Sequence, residues 1–249
     1  MSYIPPEISH QILDYLDGND WLIARRVSES FMCKVDPEKT FTFVSDRGTV
    51  PSWVRKIKVG PKIEDIDLVP VTQITHLDLT DNYLVTGKGI KNMRNITHLV
   101  INSTIPDKYL TCFPKMTHLD IKSRGTTYFS QKVAMNLTAL THLVISPFVV
   151  MRSLPILLIP NLISLKCSKN VRIDKIASDL IKIRYLDIRG CDNVDIEDLL
   201  HLPLETLWFN NYKNDVGDIS IMTLKELHLT VKEEDMIVKG HPELRIFYK

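Results

Sequence analysis

Apolar residues recur along most of the chain in the order apolar-x-x-apolar-x-apolar, where x is a position of mixed character. Successive copies of this pattern begin 20 to 24 residues apart. Nine copies are complete, and they begin at Val54, Ile74, Ile96, Met116, Leu140, Leu162, Ile183, Leu204 and Leu224. A tenth copy, with Leu244 and Phe247 as its apolar residues, is broken. Alternating apolar and polar residues predict a short β-strand in each copy, with one face buried.

One such strand cannot bury its apolar face alone, so neighbouring copies must stack side by side. Each copy then adds one strand to a parallel sheet, and the residues between strands form the opposite side of a curved rod. We expect Leu77 and Leu79 to face the core, and His76, Asp78 and Thr80 to face away from it. The pattern therefore predicts an α/β solenoid with a curved parallel β-sheet.

The pattern is the core of the leucine-rich-repeat motif, L-x-x-L-x-L, at the lower end of the length range of such repeats. The next position of the motif is Asn or Cys, which Asn82, Asn170 and Cys191 provide and the other copies lack. The chain therefore resembles the leucine-rich-repeat (LRR) family, with irregular repeats and an incomplete ladder of asparagines. Between strands, 171–182 has the apolar spacing of a short helix, whereas 102–115, with its prolines, is predicted to be a loop.

Four copies contain Thr-His-Leu in the same register, which places His76, His98, His118 and His142 in one column on the concave face. Adjacent strands lie about 4.8 Å apart, so the rings are expected to stack. Three interpretations stay open: a ladder of flat side chains bonded by neighbouring Thr and Asp residues, a stripe that binds a partner, and a metal site. Zinc requires about four ligands in a tetrahedral arrangement, which a linear column does not provide, so we expect no metal and no cofactor. Ligand binding through this column is expected to change between roughly pH 5 and 7.

Two further columns of outward-facing residues are predicted beside the histidines. The first contains Asp78, Val100, Asp120, Val144, Lys166, Asp187, Trp208 and His228. The second contains Thr80, Asn102, Lys122, Ser146, Ser168, Arg189, Asn210 and Thr230. The C-terminal half of this face has a composition typical of a protein-binding hot spot, provided by Tyr185, Asp187, Arg189, Trp208 and His228. The alternative is that Trp208 only covers a gap between repeats. The sequence contains no catalytic constellation, so we do not expect an enzyme.

The first 35 residues do not fit the repeat and are predicted to form three short helices. Pro5 and Pro6 suit the start of a helix, and Ile8, Ile12 and Leu16 fall on one helical face. A three-helix segment this short has too small a core to be stable alone. We therefore expect it to pack against the solenoid, a partner or both.

This N-terminal segment resembles an F-box. The family pattern of Leu-Pro-x-Glu-apolar, then Ile-Leu-x-x-Leu, then Val-Ser before an aromatic residue is matched by 4–8, 12–16 and 27–31. The departures are Ile4 in place of Leu, Phe31 in place of the frequent Trp, and the additional Pro6. An F-box followed by leucine-rich repeats is the architecture of the F-box/LRR proteins. The ragged, Ile-rich repeats are similar to those of F-box/LRR-like proteins of giant amoeba viruses.

The resemblance implies a substrate-recognition adaptor of an SCF (Skp1–cullin–F-box) ubiquitin ligase. In that family the F-box docks on Skp1, which links it to a cullin–RING ligase, and the repeats bind the substrate protein. The Skp1 contacts carried over by position are Ile4, Pro5, Glu7, Ile8, Ile12, Leu13, Leu16 and Val27. The implied boundaries are 1–40 for a small three-helix F-box-like domain, 41–53 for a linker or N-terminal capping strand, and 54–249 for the repeats.

Composition and charge narrow the remaining function classes. The 249 residues carry a net charge of +1, which argues against nucleic acid or an anionic membrane as a partner. The N-terminus lacks a secretory signal and the four cysteines form no CxxC pair, so we expect a cytoplasmic or nuclear location, in the host cytoplasm if the protein is viral. Two alternatives stay open. One is a non-ligase LRR scaffold whose first helices are a cap, and the other is an enzyme inhibitor, although the concave face lacks the single-sign charge that an inhibitor of this kind would show.

Overall fold

The computed structural model of the chain describes residues 40–43, 50, 54–102, 104–122, 127–128, 130–146, 149–150, 159–167, 180–189, 191, 194–210, 215–230, 237–239 and 243–248. The F-box-like segment and most of the predicted helix at 171–182 lie outside the described residues, so those assignments stay predictions. No helix in the described ranges is long and apolar enough to span a lipid bilayer.

Short parallel strands form the framework of the molecule. They are β1 (Thr40–Phe43), β2 (Lys56–Val59), β3 (His76–Asp78), β4 (His98–Ile101), β5 (His118–Ile121), β6 (Thr127–Tyr128), β7 (His142–Ile145), β8 (Val149–Val150), β9 (Ser164–Cys167), β10 (Tyr185–Asp187), β11 (Thr206–Asn210), β12 (Asp215–Asp218), β13 (Glu226–Thr230), β14 (Ile237–Lys239) and β15 (Arg245–Tyr248). A curved, open main sheet has 11 strands in the order β1-β2-β3-β4-β5-β7-β9-β10-β11-β13-β15. The remaining strands form the pairs β6–β8 and β12–β14.

The register of the main sheet aligns equivalent positions of successive repeats. His76 pairs with His98, His98 with His118, and His118 with His142. Between these outward positions, leucines such as Leu77 turn into one continuous apolar core. The alternation arises because successive side chains of a strand point to opposite faces. The structure thus confirms the predicted α/β LRR-type solenoid.

Short helices connect several strands on the side of the sheet opposite the outward columns. They are α1 (Asp65–Leu68), α2 (Gly87–Ile90), α3 (Gln131–Asn136) and two 3₁₀ helices, Asp107–Cys112 and Ile196–Leu199. The prediction of a loop over 102–115 is therefore wrong for its middle part. Pro106 occupies the position before the first 3₁₀ helix, and the buried Leu110 holds that helix against the core.

Asp65 ties α1 to the start of α2. Its carboxylate accepts hydrogen bonds from the backbone N–H and hydroxyl of Thr86, at 2.7 and 2.5 Å, and from the N–H of Gly89 at 3.0 Å. A side chain at Gly89 would place its Cβ 2.8 Å from the Asp65 Cα atom, so only glycine permits this approach without a shift of the backbone. One repeat is thereby fixed to the next outside the sheet.

Buried asparagines satisfy the backbone where β3 and β4 end. The fully buried Asn82 donates to the carbonyls of Gly60 and Ile63 at 2.6 and 2.8 Å, as expected for the motif asparagine. Asn102 was expected on the outward face, and this prediction is wrong. Asn102 is also fully buried, and its amide donates to the carbonyls of Leu79 and Asn82. Thr104, at the motif position of the same repeat, donates its hydroxyl to the carbonyl of Val85 at 3.0 Å, so Asn102 and Thr104 together continue the ladder one repeat further than expected.

The last repeat is shifted by one residue from the predicted pattern. Leu227 pairs with Ile246, and His228 pairs with Phe247. Phe247 was expected to face the core, but the observed register places it on the outward face, where it is 40% exposed. The prediction failed because Leu244, one residue too late, was taken as the start of the copy.

Candidate functional site

The outward face of the main sheet, which we call the concave face, carries the residues proposed to bind a partner. Its first feature is the histidine column, formed by His76, His98, His118 and His142. The ring centroids of successive histidines lie 3.9, 3.9 and 4.1 Å apart, with interplanar angles of 8 to 14°. The predicted stack of rings is therefore present.

A threonine orients each ring of the histidine column. The hydroxyl of the residue before each histidine lies 2.9 Å from the ring Nδ1 atom. The same hydroxyl lies 3.1 to 3.2 Å from a backbone carbonyl of the preceding repeat. These contacts explain why the repeat keeps Thr and His together, and they favour an ordered ladder of aligned side chains.

The two central rings of the column resist protonation. Partial burial and the charge of neighbouring histidines lower the pKa of His98 and of His118 to about 4. The expected change in binding between pH 5 and 7 is therefore wrong for these two rings, which stay neutral in that range. The expectation started from the ordinary histidine value and underestimated burial and stacking.

The column has a poor geometry for a metal site. A metal requires ligand atoms that converge on one point, whereas these rings lie face to face in a line. In the described part of the chain, no three His, Cys, Asp or Glu side chains are placed to share a metal ion.

The second feature is the C-terminal stack, formed by Arg189, Trp208, His228 and Phe247. The guanidinium carbon of Arg189 lies 4.2 Å from the centre of the Trp208 ring. Trp208 stacks on His228 at 3.6 Å, and His228 stacks on Phe247 at 4.4 Å. Phe247 was missed as a site residue because of the one-residue shift in the last repeat. The stack combines aromatic and arginine side chains on an outward surface, as interface hot spots do.

Asp187 does not lie on the surface as a contact residue. It is 1% exposed, and its carboxylate accepts hydrogen bonds from Nε and Nη2 of Arg189 at 2.9 and 2.8 Å. Burial opposes its charge, but the hydrogen bonds from Arg189 outweigh this effect and lower the pKa of Asp187. Asp187 therefore positions Arg189 against the ring of Trp208, within the C-terminal stack. Its low exposure leaves little of Asp187 accessible, and its expected contact with a substrate stays a prediction.

Tyr185 occupies the histidine register on β10 and is partly buried. Burial, together with the nearby charge of Asp187, raises the pKa of its hydroxyl. Tyr185 thus lies beside the C-terminal stack, and Ser164 on β9 separates it from His142, the last ring of the histidine column. The expected Skp1 contacts, Ile4 to Val27, lie outside the described residues.

Comparison with known proteins addresses both parts of the chain. A model of the F-box domain matches residues 1–41. Among solved structures, an internalin (inlF) from Listeria monocytogenes is similar, with 19% sequence identity, a TM-score of 0.53, and coverage of 79% of this chain and 67% of that one. At this identity the likeness supports the fold alone. No curated protein matches the chain. The chain thus carries an F-box domain at its N-terminus, followed by an LRR-type solenoid, a combination typical of protein-interaction adaptors.

Proposed function

We propose that this protein is the substrate-recognition subunit of an SCF ubiquitin ligase. The observation that supports this function is the combination of an F-box match over residues 1–41 with a solenoid that presents ordered side chains on one face. The F-box would dock on Skp1, and the concave face would bind the substrate protein. The chain itself would do no chemistry. It would raise the effective concentration of a substrate lysine near the ubiquitin-loaded enzyme.

The substrate would bind across the C-terminal stack and the histidine column. Aromatic rings give large contact areas at a small entropic cost, and Arg189 is already held by Asp187, so the stack is the expected centre of the interface. The stacked rings of the histidine column would contribute flat, polar contact area on the same face. Tyr185, together with Ser164 on the strand between, would connect the two parts.

The docking step is tested by co-purification of the full-length chain with Skp1. Ile8→Lys with Leu16→Lys should abolish binding, because both changes place a charge in the apolar seam predicted for the F-box. His10→Lys introduces the same side chain on the opposite side of the predicted helix and should leave binding intact. Circular dichroism of each variant shows whether the solenoid stays folded, since repeats contact mainly their neighbours.

The outcome separates the proposed function from its alternative. If the unmodified chain does not bind Skp1, or if the double variant binds as well as the control, the ligase function is wrong. A non-ligase LRR scaffold with a helical N-terminal cap would then replace it.

A further inference from the structure

The outward column next to the histidines contains three aspartates in equivalent positions of different repeats, Asp78, Asp120 and Asp187. Each is followed two residues later by a polar side chain. These side chains belong to Thr80, Lys122 and Arg189. The three repeats therefore allow a comparison of the side chains that can donate a hydrogen bond to the same aspartate position.

Two of the three carboxylates receive donors from their own repeat. The Oδ1 atom of Asp78 accepts hydrogen bonds from the N–H and hydroxyl of Thr80, at 2.8 and 2.5 Å. Asp187 is held by both side-chain nitrogens of Arg189 described above. In both cases the residue two positions on supplies a side-chain donor at hydrogen-bond distance.

Asp120 has no such side-chain donor at hydrogen-bond distance. Lys122 Nζ lies 3.7 Å from Asp120 Oδ2, which is beyond a hydrogen bond, and the Lys122 N–H donates to the carbonyl of Ile101 instead. The Oδ1 atom of Asp120 is buried and has no hydrogen-bond partner among the described residues. The Asp120 side chain as a whole is 25% exposed, so a donor from outside the chain can reach the carboxylate on its exposed side, where Lys122 stays 3.7 Å away. Burial also raises the pKa of Asp120.

The surroundings of Asp120 fit a long side chain with a charged end. On the neighbouring strands Asp120 pairs with Val100 and Val144, which are both partly exposed. Two partly exposed valines on either side of a carboxylate offer apolar surface to the stem of such a side chain.

The nearby charges also permit a cation. Asp78 adds negative charge on the same column, and the rings of His98 and His118 stay neutral above about pH 4. Lys122 is largely exposed and makes only the loose contact described above. Lys166 lies 3.4 Å from Asp187 and is thus drawn toward the next carboxylate.

We propose that Asp120 binds a lysine or arginine side chain of the substrate protein. The cation donates to the exposed side of the carboxylate, and its aliphatic stem packs against Val100 and Val144. The substrate class that this face selects is thus a protein segment with an exposed basic residue. This inference rests on the protein-binding part of the proposed function and does not require Skp1.

The test selects peptides from a phage-displayed library of random sequences on the immobilised full-length protein. The unmodified protein should enrich peptides that share a Lys or Arg, and exchange of that residue for Gln should weaken binding at least about tenfold. Asp120→Asn should weaken binding of the same peptides by a similar factor. The matched control, Asp78→Asn, removes an equivalent charge two strands away and should change their affinity less than about threefold.

The exchanged peptides test the inference on the unmodified protein, so it stays falsifiable if a variant is unstable. Selection of peptides with neutral donors, equal binding by Asp120→Asn, or failure to select any peptide overturns the inference. Enrichment of peptides without a basic residue, together with Skp1 binding, overturns this inference but leaves the ligase function standing. If the unmodified protein does not bind Skp1 but still selects basic peptides, the ligase function is wrong and this inference stands.

Discussion

Replacing Arg189 by alanine should destabilise the solenoid, although Arg189 lies on the candidate binding surface. The change removes two side-chain hydrogen bonds to the carboxylate of Asp187, at 2.9 and 2.8 Å. The Asp187 side chain is only 2% exposed, so water does not replace these donors freely. The backbone N–H of residue 189, at 3.3 Å, and Lys166, at 3.4 Å, remain as partial substitutes.

The size of the effect follows from the contacts that are lost. Each hydrogen bond to a charged group contributes roughly 1.5 to 3 kcal/mol, and a cation above an aromatic ring adds about 0.5 to 1 kcal/mol. Because Arg189 is partly exposed and Lys166 can move closer, we take the lower end for each hydrogen bond. The free energy of unfolding should fall by about 3 to 4 kcal/mol.

Urea denaturation followed by circular dichroism measures this loss. The matched control is Lys122→Ala, which removes the equivalent side chain beside Asp120, where the contact is 3.7 Å and more exposed. Its cost should stay below about 1 kcal/mol. Adding Asp187→Asn to Arg189→Ala should recover part of the loss, because a charge is no longer left buried.

The pH dependence gives a second check. Because the pKa of Asp187 is lowered on folding, the unfolded chain takes up the proton first as the pH falls. The stability supplied by the Asp187–Arg189 pair is therefore present above the ordinary carboxyl pKa of 3.8 and is lost as the pH falls through the lower folded value. The reasoning would be refuted if Arg189→Ala and Lys122→Ala lowered the free energy of unfolding equally. It would also be refuted if the difference in stability between Arg189→Ala and the unmodified protein did not become smaller in acid.

Two further predictions concern the histidine column and the buried asparagines. In NMR titrations, the imidazole nitrogen resonances of His98 and His118 should have midpoints near pH 4. The stability that these two neutral rings contribute should be lost as the pH falls from about 6.5 to about 4. Midpoints near pH 6.5 would contradict this prediction. Asn82→Ala leaves two carbonyls and two N–H groups without their buried partner, so the free energy of unfolding should fall by about 3 to 5 kcal/mol in urea denaturation, whereas the exposed Asn92→Ala should cost less than about 0.5 kcal/mol. A similar cost for both asparagines would show that the ladder contributes little.

The fold and the histidine column could be predicted because both depend on one period. A constant repeat length fixes which residues are neighbours, so the alignment of His76 with His98 follows from counting. No knowledge of side-chain contacts is needed for that step. This is why the strand register was right for nearly every repeat.

The failures occurred where side chains depart from simple alternation. Asn102 follows the last residue of β4, so its side chain is free to turn inward to the carbonyls of the neighbouring repeat. Asp187 alternates outward as expected, but Arg189 and its neighbours close over it. Phe247 was misassigned because a broken pattern gives no internal check on register. Such details depend on what covers a residue, and a period does not contain that information.

The alignment of the strands also has a consequence for how the chain folds. Residues that pair across the main sheet are separated by only 16 to 24 positions, from Thr40 with Lys56 to His118 with His142. Each new strand therefore requires closure of one short loop, whose entropic cost does not grow with the length of the chain. Topologies rich in such local contacts fold quickly for their size. Assembly is expected to spread from a few adjacent repeats toward both ends, so a damaged repeat would halt this growth locally and leave the repeats on one side of it folded.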